Sequence, residues 1–492
     1  MKTIVWMRED LRLEDNFALH FAARNGQILP IFIYPDFCCD SQLKSGSRKT
    51  VGSKNAISIE LGAASKWWLH HSLKSLQRAF SAHNVELILR RGNPEQILPQ
   101  LVSEIEADAV VWNRVYSPAG MADGKRVKAA LERAQVEHLS FNAQLLIEPS
   151  KVFNKQGKPY KVFTPFWRHC LQHLTPEACV AVADMRAVSN KVSSEELDNW
   201  QLLPTRPDWS SGLQQRWQPG EQTAHESLAL FLQERVNRYN GGRDFPALEN
   251  TSMLSPHLAF GEIGPRQIWF AVHEGMAAGW ISSEHGNKFL SEIGWREFAR
   301  YLLVHFPHLL NEPFNSRFTD FPWQDDPALI EAWQQGQTGY PIVDAGMREL
   351  WHTGYMHNRV RMVVASFLTK HCISHWQHGM AWFWDTLVDA DIGNNTASWQ
   401  WAAGCGADAA PYFRIFNPIL QGEKFDKEGV YIKKWVPELS DMPARFINKP
   451  WQADGLTLQQ AGVVLGETYP LPIVEHKEAR ERALLSYQQI KK

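Results

Sequence analysis

The apolar positions of the first 142 residues fall in short, continuous runs: "TIVWM" (3–7), "ILPIFIY" (28–34), "VELILR" (85–90), "DAVVWN" (108–113) and "EHLSFN" (137–142). Runs of this length with little polar alternation predict strands covered on both faces. Between them the pattern lengthens to a helical period, most plainly in "ASKWWLHHSLKSLQRAF" (64–80). Strands alternating with helices predict a parallel sheet, and the right-handed crossover makes it a Rossmann-like layer. No GxGxxG follows the first run, which disfavours a nicotinamide dinucleotide site of the usual kind.

From about 170 to 220 the periodicity fades into "VSNKVSSEELDNWQLLPTRPDWSSGLQQRWQPGE", rich in Ser, Pro, Gln and Asn, and this reads as a connector. Beyond it helical spacing dominates. "TAHESLALFLQERVNRY" opens with Thr223 and Glu226 in capping-box spacing, followed by an apolar stripe of Leu228, Phe231, Leu232 and Val236. Further helices are predicted at 256–275, 287–305, 341–352, 357–373 and 376–390. Ser255 reads as the N-cap and Pro256 as the first residue of the earliest of these, an N-terminus whose free N–H groups suit a phosphate. The expected fold class is α/β plus all-α: a parallel-sheet domain over 1–135, a linker over 136–220 and a helical domain over 221–492.

Composition sharpens this picture in three places. The chain holds 21 tryptophans, which suit a stacking, sugar-binding or electron-carrying protein and equally the plain core of a large helical enzyme, and its net charge of −2 argues against a protein coated in basic residues. Any nucleic acid contact must come from a local patch. The six cysteines (Cys38, Cys39, Cys170, Cys179, Cys372, Cys405) show no CxxC or zinc spacing, so they read as reduced thiols of a cytoplasmic protein. "MKTIVWMRED" is no signal peptide, and no apolar run approaches membrane-spanning length.

Candidate chemistry concentrates in the helical half. Glu292, Trp295 and Arg296 share a helix face in "KFLSEIGWREFARYLL", and Asn358, Arg361 and Met362 repeat that spacing in "MHNRVRMVVASFL". Each puts polar groups beside aromatic or sulfur side chains, as an apolar ligand pocket with a few orienting groups requires. In "WFWDTLVDADIGNNTASWQW" Asp389 and Asp391 suggest metal binding or acid catalysis, but no histidine or third carboxylate stands at matching spacing, so no metal is expected. The alternative is that one neutralises a buried arginine while the other accepts from a ligand's N–H groups.

Together these segments resemble the photolyase/cryptochrome flavoprotein family over nearly the whole chain. "VWMREDLRLEDN", "YKVFTPFWR", "GRDFPALENTSMLSPHLAFGEI", "TGYPIVDAGMREL", "DADIGNNTASWQWAAGCGADAAPYFRIFNP" and "QGEKFD" occur in family order. The resemblance implies an N-terminal antenna domain and a C-terminal domain holding FAD, active as FADH−. It implies that Tyr239, Thr251, Ser252, Leu254 and Ser255 hold the phosphates and ribityl chain, with Arg296 and Asn358 in the flavin pocket. Arg361 and Asp389 match a buried ion pair beside the ring, Asp391 an acceptor at its edge, and Asn395 the residue facing N5. Plant cryptochromes are known for Asp at that last place. Trp399, Trp376 and Trp323 match the electron-transfer triad.

On the substrate side Glu292, Trp295, Asn358, Met362 and Trp401 match positions that contact a cyclobutane pyrimidine dimer, whereas (6–4) enzymes have His where Met362 stands. The implied activity is light-driven repair of that dimer, flipped out of double-stranded DNA, by an electron from excited FADH−. Arg243, Arg359 and Arg414 are candidates for a rim gripping DNA phosphates. Two features depart from some family members: Tyr355 and Phe289 replace Trp, and "WNRVYSPAGMADGKR" lacks an Asn-Glu pair used elsewhere for a folate antenna. "ASKWWLHHSL" and "WNRVYSP" look instead like another photolyase class and plant cryptochromes. Methenyltetrahydrofolate is therefore expected ahead of 8-hydroxy-5-deazaflavin. A photosensory cryptochrome is the rival reading; the expected protein is a monomeric bacterial enzyme of the cytoplasm. Trp382 and Trp384 are left as core.

Overall fold

The computed structural model describes residues 1–35, 60–173, 175–409 and 413–491. The five apolar runs form β1 (Lys2–Met7), β2 (Gln27–Tyr34), β3 (Ile88–Arg91), β4 (Ala109–Asn113) and β5 (Glu137–Phe141), in the order β3-β2-β1-β4-β5. All pair in parallel, with Ile4 opposite both Leu29 and Val110. Helices cover the sheet, and Ile4, Ile31, Val110, Leu98 and Ile105 are wholly buried in one cluster. The edge strand β5 is only partly covered, which explains the polar His138 and Ser140 in its run.

The predicted connector is more ordered than its composition implies. The span 136–220 includes β5 of the sheet and the helix Phe163–His173, and adds a short sixth strand, β6 (Arg186–Ala187), to the outside of β2. Trp200 then stacks on Tyr34 with ring centroids 5.4 Å apart. Single aromatic anchors separated by polar residues carry no periodicity, so this docking left no pattern to read.

In the helical part several boundaries move. The helix at 221 starts at Glu221 behind Gly220, so Thr223 is not an N-cap; the Glu221 carboxylate accepts from the Leu13 and Glu14 N–H groups. Ser255 lies inside the helix Ser255–Phe260, with Leu254 at the N-cap and no side-chain cap. The span predicted for 256–275 breaks at Gly261 (φ +70), where a Cβ would come within 2.1 Å of the Glu9 carbonyl, and resumes as Pro265–Ala277. That predicted for 357–373 runs as Asn358–Ser366 and widens into a π-turn over Phe367–His371.

The described residues divide into two compact units, one of 1–209, 217–237 and 252–307, the other of 210–216, 238–251 and 308–492. Cys170, Cys179, Cys372 and Cys405 are free thiols, while Cys38 and Cys39 lie outside the described residues. Among the described residues no helix is long and apolar enough to cross a membrane.

Candidate active site

In the second unit the sequence around 389 builds its geometry locally. The helix Trp376–Thr386 ends at Leu387, and Asp391 starts the next, Ile392–Ala403, by accepting from the Asn394 N–H at 2.8 Å. The intervening turn presents Asp389, whose carboxylate meets the Arg361 guanidinium at 2.9 and 3.1 Å. The same guanidinium donates to the Met356 carbonyl at 2.7 Å and lies 5.3 Å from the Tyr355 ring. Burial works against the Arg361 charge, but Asp389 and its hydrogen bonds hold its pKa above the ordinary value. The neutralised arginine proposed as the alternative to a metal site is thus present.

Asn395 is buried on the first turn of the same helix, and its amide N–H donates to the Met380 carbonyl at 2.9 Å. That bond decides which way the amide points. The oxygen, an acceptor, is turned to the opposite side.

His357 caps the helix Asn358–Ser366 by accepting from the Arg359 N–H at its Nδ1. Burial pushes its pKa down to about 4, so at neutral pH the ring is uncharged and its proton sits on Nε2. Among the described residues this buried N–H has no hydrogen-bond partner. Arg359, next along, pairs with Asp244 at 2.9 Å and lies over the Phe425 ring; Arg243 lies over Tyr239. Thr251 hydrogen-bonds Tyr355, whose phenol is pushed up to about 12, mainly by burial. Asn358 is exposed and Met362 half-buried.

Trp376, Trp382, Trp384, Trp399 and Trp401 fall on two neighbouring helices, and Trp323 on a loop. Trp399 is buried against the helix Trp376–Thr386 at Gly379, where a Cβ would stand 2.0 Å from its ring. Gly379 lies one turn after the buried Trp376. His375 continues the series, 5.3 Å from Trp376 and 5.1 Å from the half-buried Trp323. Trp401 is half-buried. Trp382 and Trp384 are not core: both are half-buried, and Trp382 stacks on the exposed Trp351 at 5.9 Å. Their helix turns that face toward solvent, which apolar character alone does not reveal.

Arg414 also lies in the second unit, and the first unit holds the remaining predicted residues. On the helix Ser283–His305, Glu292 lies 3.5 Å from Lys288, and Trp295, 37 % exposed, stacks on Phe163 at 3.8 Å. Arg296 points inward and donates to the Gln144 carbonyl. Ser252 accepts from the Leu254 N–H, Leu254 is buried and Ser255 exposed. Phe289 is buried against Phe231. In the two segments singled out for an antenna, Trp67 and Trp68 are buried, and Glu148 accepts from Tyr116 and Arg114. Glu14, Glu221 and His225 cluster outside these segments, but both Glu221 oxygens are taken by backbone N–H groups.

Residues 3–184 match the family described as DNA photolyase, and residues 289–489 the FAD binding domain of DNA photolyase. The deoxyribodipyrimidine photo-lyase of Agrobacterium fabrum is 49 % identical over 99 % of this chain and 98 % of its own length. The chain belongs to the photolyase/cryptochrome family. A bacterial class III photolyase from Agrobacterium tumefaciens superposes with a TM-score of 0.92 at 48 % identity, covering 100 % of this chain and 98 % of that one. Cryptochrome-1 of Arabidopsis thaliana is 36 % identical over 98 % of this chain and 69 % of its own length. The family's flavin suits the residues present: a charge-neutral Arg361–Asp389 pair, an amide acceptor at Asn395 and a buried His357 N–H without a partner among the described residues offer polar groups for a planar heteroaromatic ring. Sequence reasoning missed His357, Gly379 and the Met380 carbonyl. The first stands in the quoted "MHNR"; the other two act through backbone or absence of a side chain and leave no chemical signal.

Proposed function

We propose that this protein repairs cyclobutane pyrimidine dimers in ultraviolet-damaged DNA, using light absorbed by bound FADH−. The supporting observation is full-length likeness to a deoxyribodipyrimidine photo-lyase, with Met362 and Trp401 at the positions the resemblance assigns to dimer contact. When bound, the reduced flavin supplies one electron to the dimer on excitation and recovers it after the ring opens. Tyr239, Thr251, Ser252, Leu254, Ser255, Arg296 and Asn358 bind the cofactor. Asp389 would keep the Arg361 charge neutralised beside bound flavin, Asp391 would offer an acceptor to its N–H groups, and the Asn395 oxygen would accept from its reduced form.

Trp295 and Trp401 pack on the apolar faces of the flipped dimer, Met362 fills the remaining space, and Asn358 orients the bases. Arg243, Arg359 and Arg414 neutralise phosphates of the duplex. The protonated form of Glu292 donates to the dimer carbonyls as negative charge develops there. Glu292→Gln, which keeps a donor, is expected to retain partial quantum yield and Glu292→Ala to lose more; equal yields remove the hydrogen-bonding role.

Trp399, Trp376 and Trp323 carry electrons inward. Trp323→Phe should slow photoreduction of oxidised FAD while repair by pre-reduced enzyme persists, and an equal fall in both makes Trp323 structural. Methenyltetrahydrofolate is the proposed antenna, read by mass spectrometry of released chromophores. The deciding experiment illuminates the purified, reduced protein with oligonucleotides carrying a cyclobutane dimer or a (6–4) product. Intact cyclobutane dimers after illumination overturn the reading and favour a photoreceptor. Repair of the (6–4) product alone corrects the substrate.

A further inference from the structure

The helix Ile392–Ala403 ends on Gly404 in the left-handed conformation (φ 90), and its last carbonyls need partners from beyond the helix. Gln400 takes the N–H groups of Gly404, Cys405 and Gly406. Ala402 does otherwise: its carbonyl accepts from the Lys370 ammonium at 2.5 Å, reaching across from the π-turn Phe367–His371. The same nitrogen donates to the Arg414 carbonyl at 2.6 Å and lies 4.6 Å from the Phe413 ring. Lys370 is 3 % exposed.

Among the described residues its charge is met by two carbonyls, an aromatic face and the negative end of a helix, with no carboxylate. Burying a cation in this way is costly, and an apolar side chain of equal length would fill the space without that cost. What lysine adds is donors that join two points 12 residues apart in sequence (402 and 414). Trp401 precedes the first point, and Arg414 is itself the second.

We propose that Lys370 is a positioning residue for DNA binding, pinning both ends of the 402–414 segment so that Trp401 and Arg414 are arranged before the lesion arrives. This rests on the assignment of Trp401 to the dimer and Arg414 to a phosphate made above. Preorganisation of this kind raises affinity by removing an ordering cost and leaves the photochemistry untouched.

The pin also has a pH dependence. Burial lowers the Lys370 pKa to about 7, Cys405 opposing and Arg414 assisting. The Cys405 thiol, pushed up to about 12, stays neutral, as does His371 on the same turn, pushed down to about 3 and facing His476 and Arg482. Above about pH 7 the amine loses its charge and its attraction to the helix end. Folding stability moves the other way: the unfolded lysine keeps its proton up to about 10, so stability rises with pH between the two values. Affinity falling while stability rises is a signature that a merely structural lysine lacks.

The test compares holoenzyme with Lys370→Met, measuring dark binding of a thymine-dimer duplex by anisotropy from about pH 6 to 9, and hydrogen exchange over 401–409 and 413–417. The expected result is faster exchange in both segments and roughly tenfold weaker binding at about pH 6, equivalent to ordering one or two side chains. FAD content and repair per photon at saturating DNA stay unchanged. Wild-type affinity falls as pH passes about 7, and the variant's is flat. Unchanged exchange, or faster exchange with unchanged affinity, overturns the proposal. Should the variant not fold, a wild-type affinity profile that is flat in pH overturns it. A wild type that does not prefer the dimer duplex sinks the repair reading, whereas unchanged exchange in Lys370→Met with that preference intact sinks the positioning role alone.

Discussion

Asp389→Ala is expected to lose about 3 kcal/mol of stability and most of its bound FAD. The Asp389 side chain is 4 % exposed and that of Arg361 24 %. Removing the carboxylate strands a guanidinium whose remaining partners are the Met356 carbonyl and the Tyr355 face. Stranding one charge of a buried pair costs about 3–5 kcal/mol, and the partial exposure of Arg361 places this one at the lower end. The double variant Arg361→Met, Asp389→Ala removes both charges, so it should regain part of the stability without regaining flavin. Urea unfolding and flavin-to-protein absorbance ratios read the two effects separately. A double variant no more stable than Asp389→Ala makes the loss one of packing rather than charge.

Asn395→Asp has the second large effect. The wild-type amide donates to the Met380 carbonyl at 2.9 Å. A carboxylate there would set two acceptors against each other, at a cost of about 1–3 kcal/mol for the lost and unsatisfied groups. The new acid escapes this cost by staying protonated and donating in place of the amide. Its folded pKa is therefore raised above the unfolded value, so its stabilising share is full at low pH and is lost as pH rises through the folded value. The variant should match the wild type in acid and fall behind it toward alkaline pH. Over the same interval the proportion of flavin held reduced after illumination should become pH-dependent. A stability difference constant in pH means that the Met380 contact does not orient the side chain.

The extent to which the site was legible follows from how far apart its partners lie. Asp389, Asp391 and Asn395 stand within seven residues, and their local order of turn, N-cap and first helical turn is visible in "DADIGNN". Arg361 lies 28 residues from Asp389, and the pair was named from resemblance alone. Spacing offered only a buried arginine of unstated identity. Thr223 and Ser255 show the opposite failure. Each had the right residue for a cap, but Glu221 was drawn to backbone N–H groups more than 200 positions away, and Leu254 took the cap position before the proline. The Lys370 contacts at separations of 32 and 44 had no sequence signal, because a lysine in a helical run reads as a solvated face.

By itself the sequence determined the parallel sheet and the helical character of the second half, while family resemblance supplied the side chains proposed for the flavin and the lesion and left out His357. Apolar period and turn chemistry act over a few residues, so they survive in linear order. Tertiary structure alone decided which way the Asn395 amide faces, why residue 379 is glycine, and what a buried lysine holds. Those outcomes depend on carbonyls and ring faces contributed from distant segments. A backbone carbonyl looks the same at every position until the fold brings a donor to it.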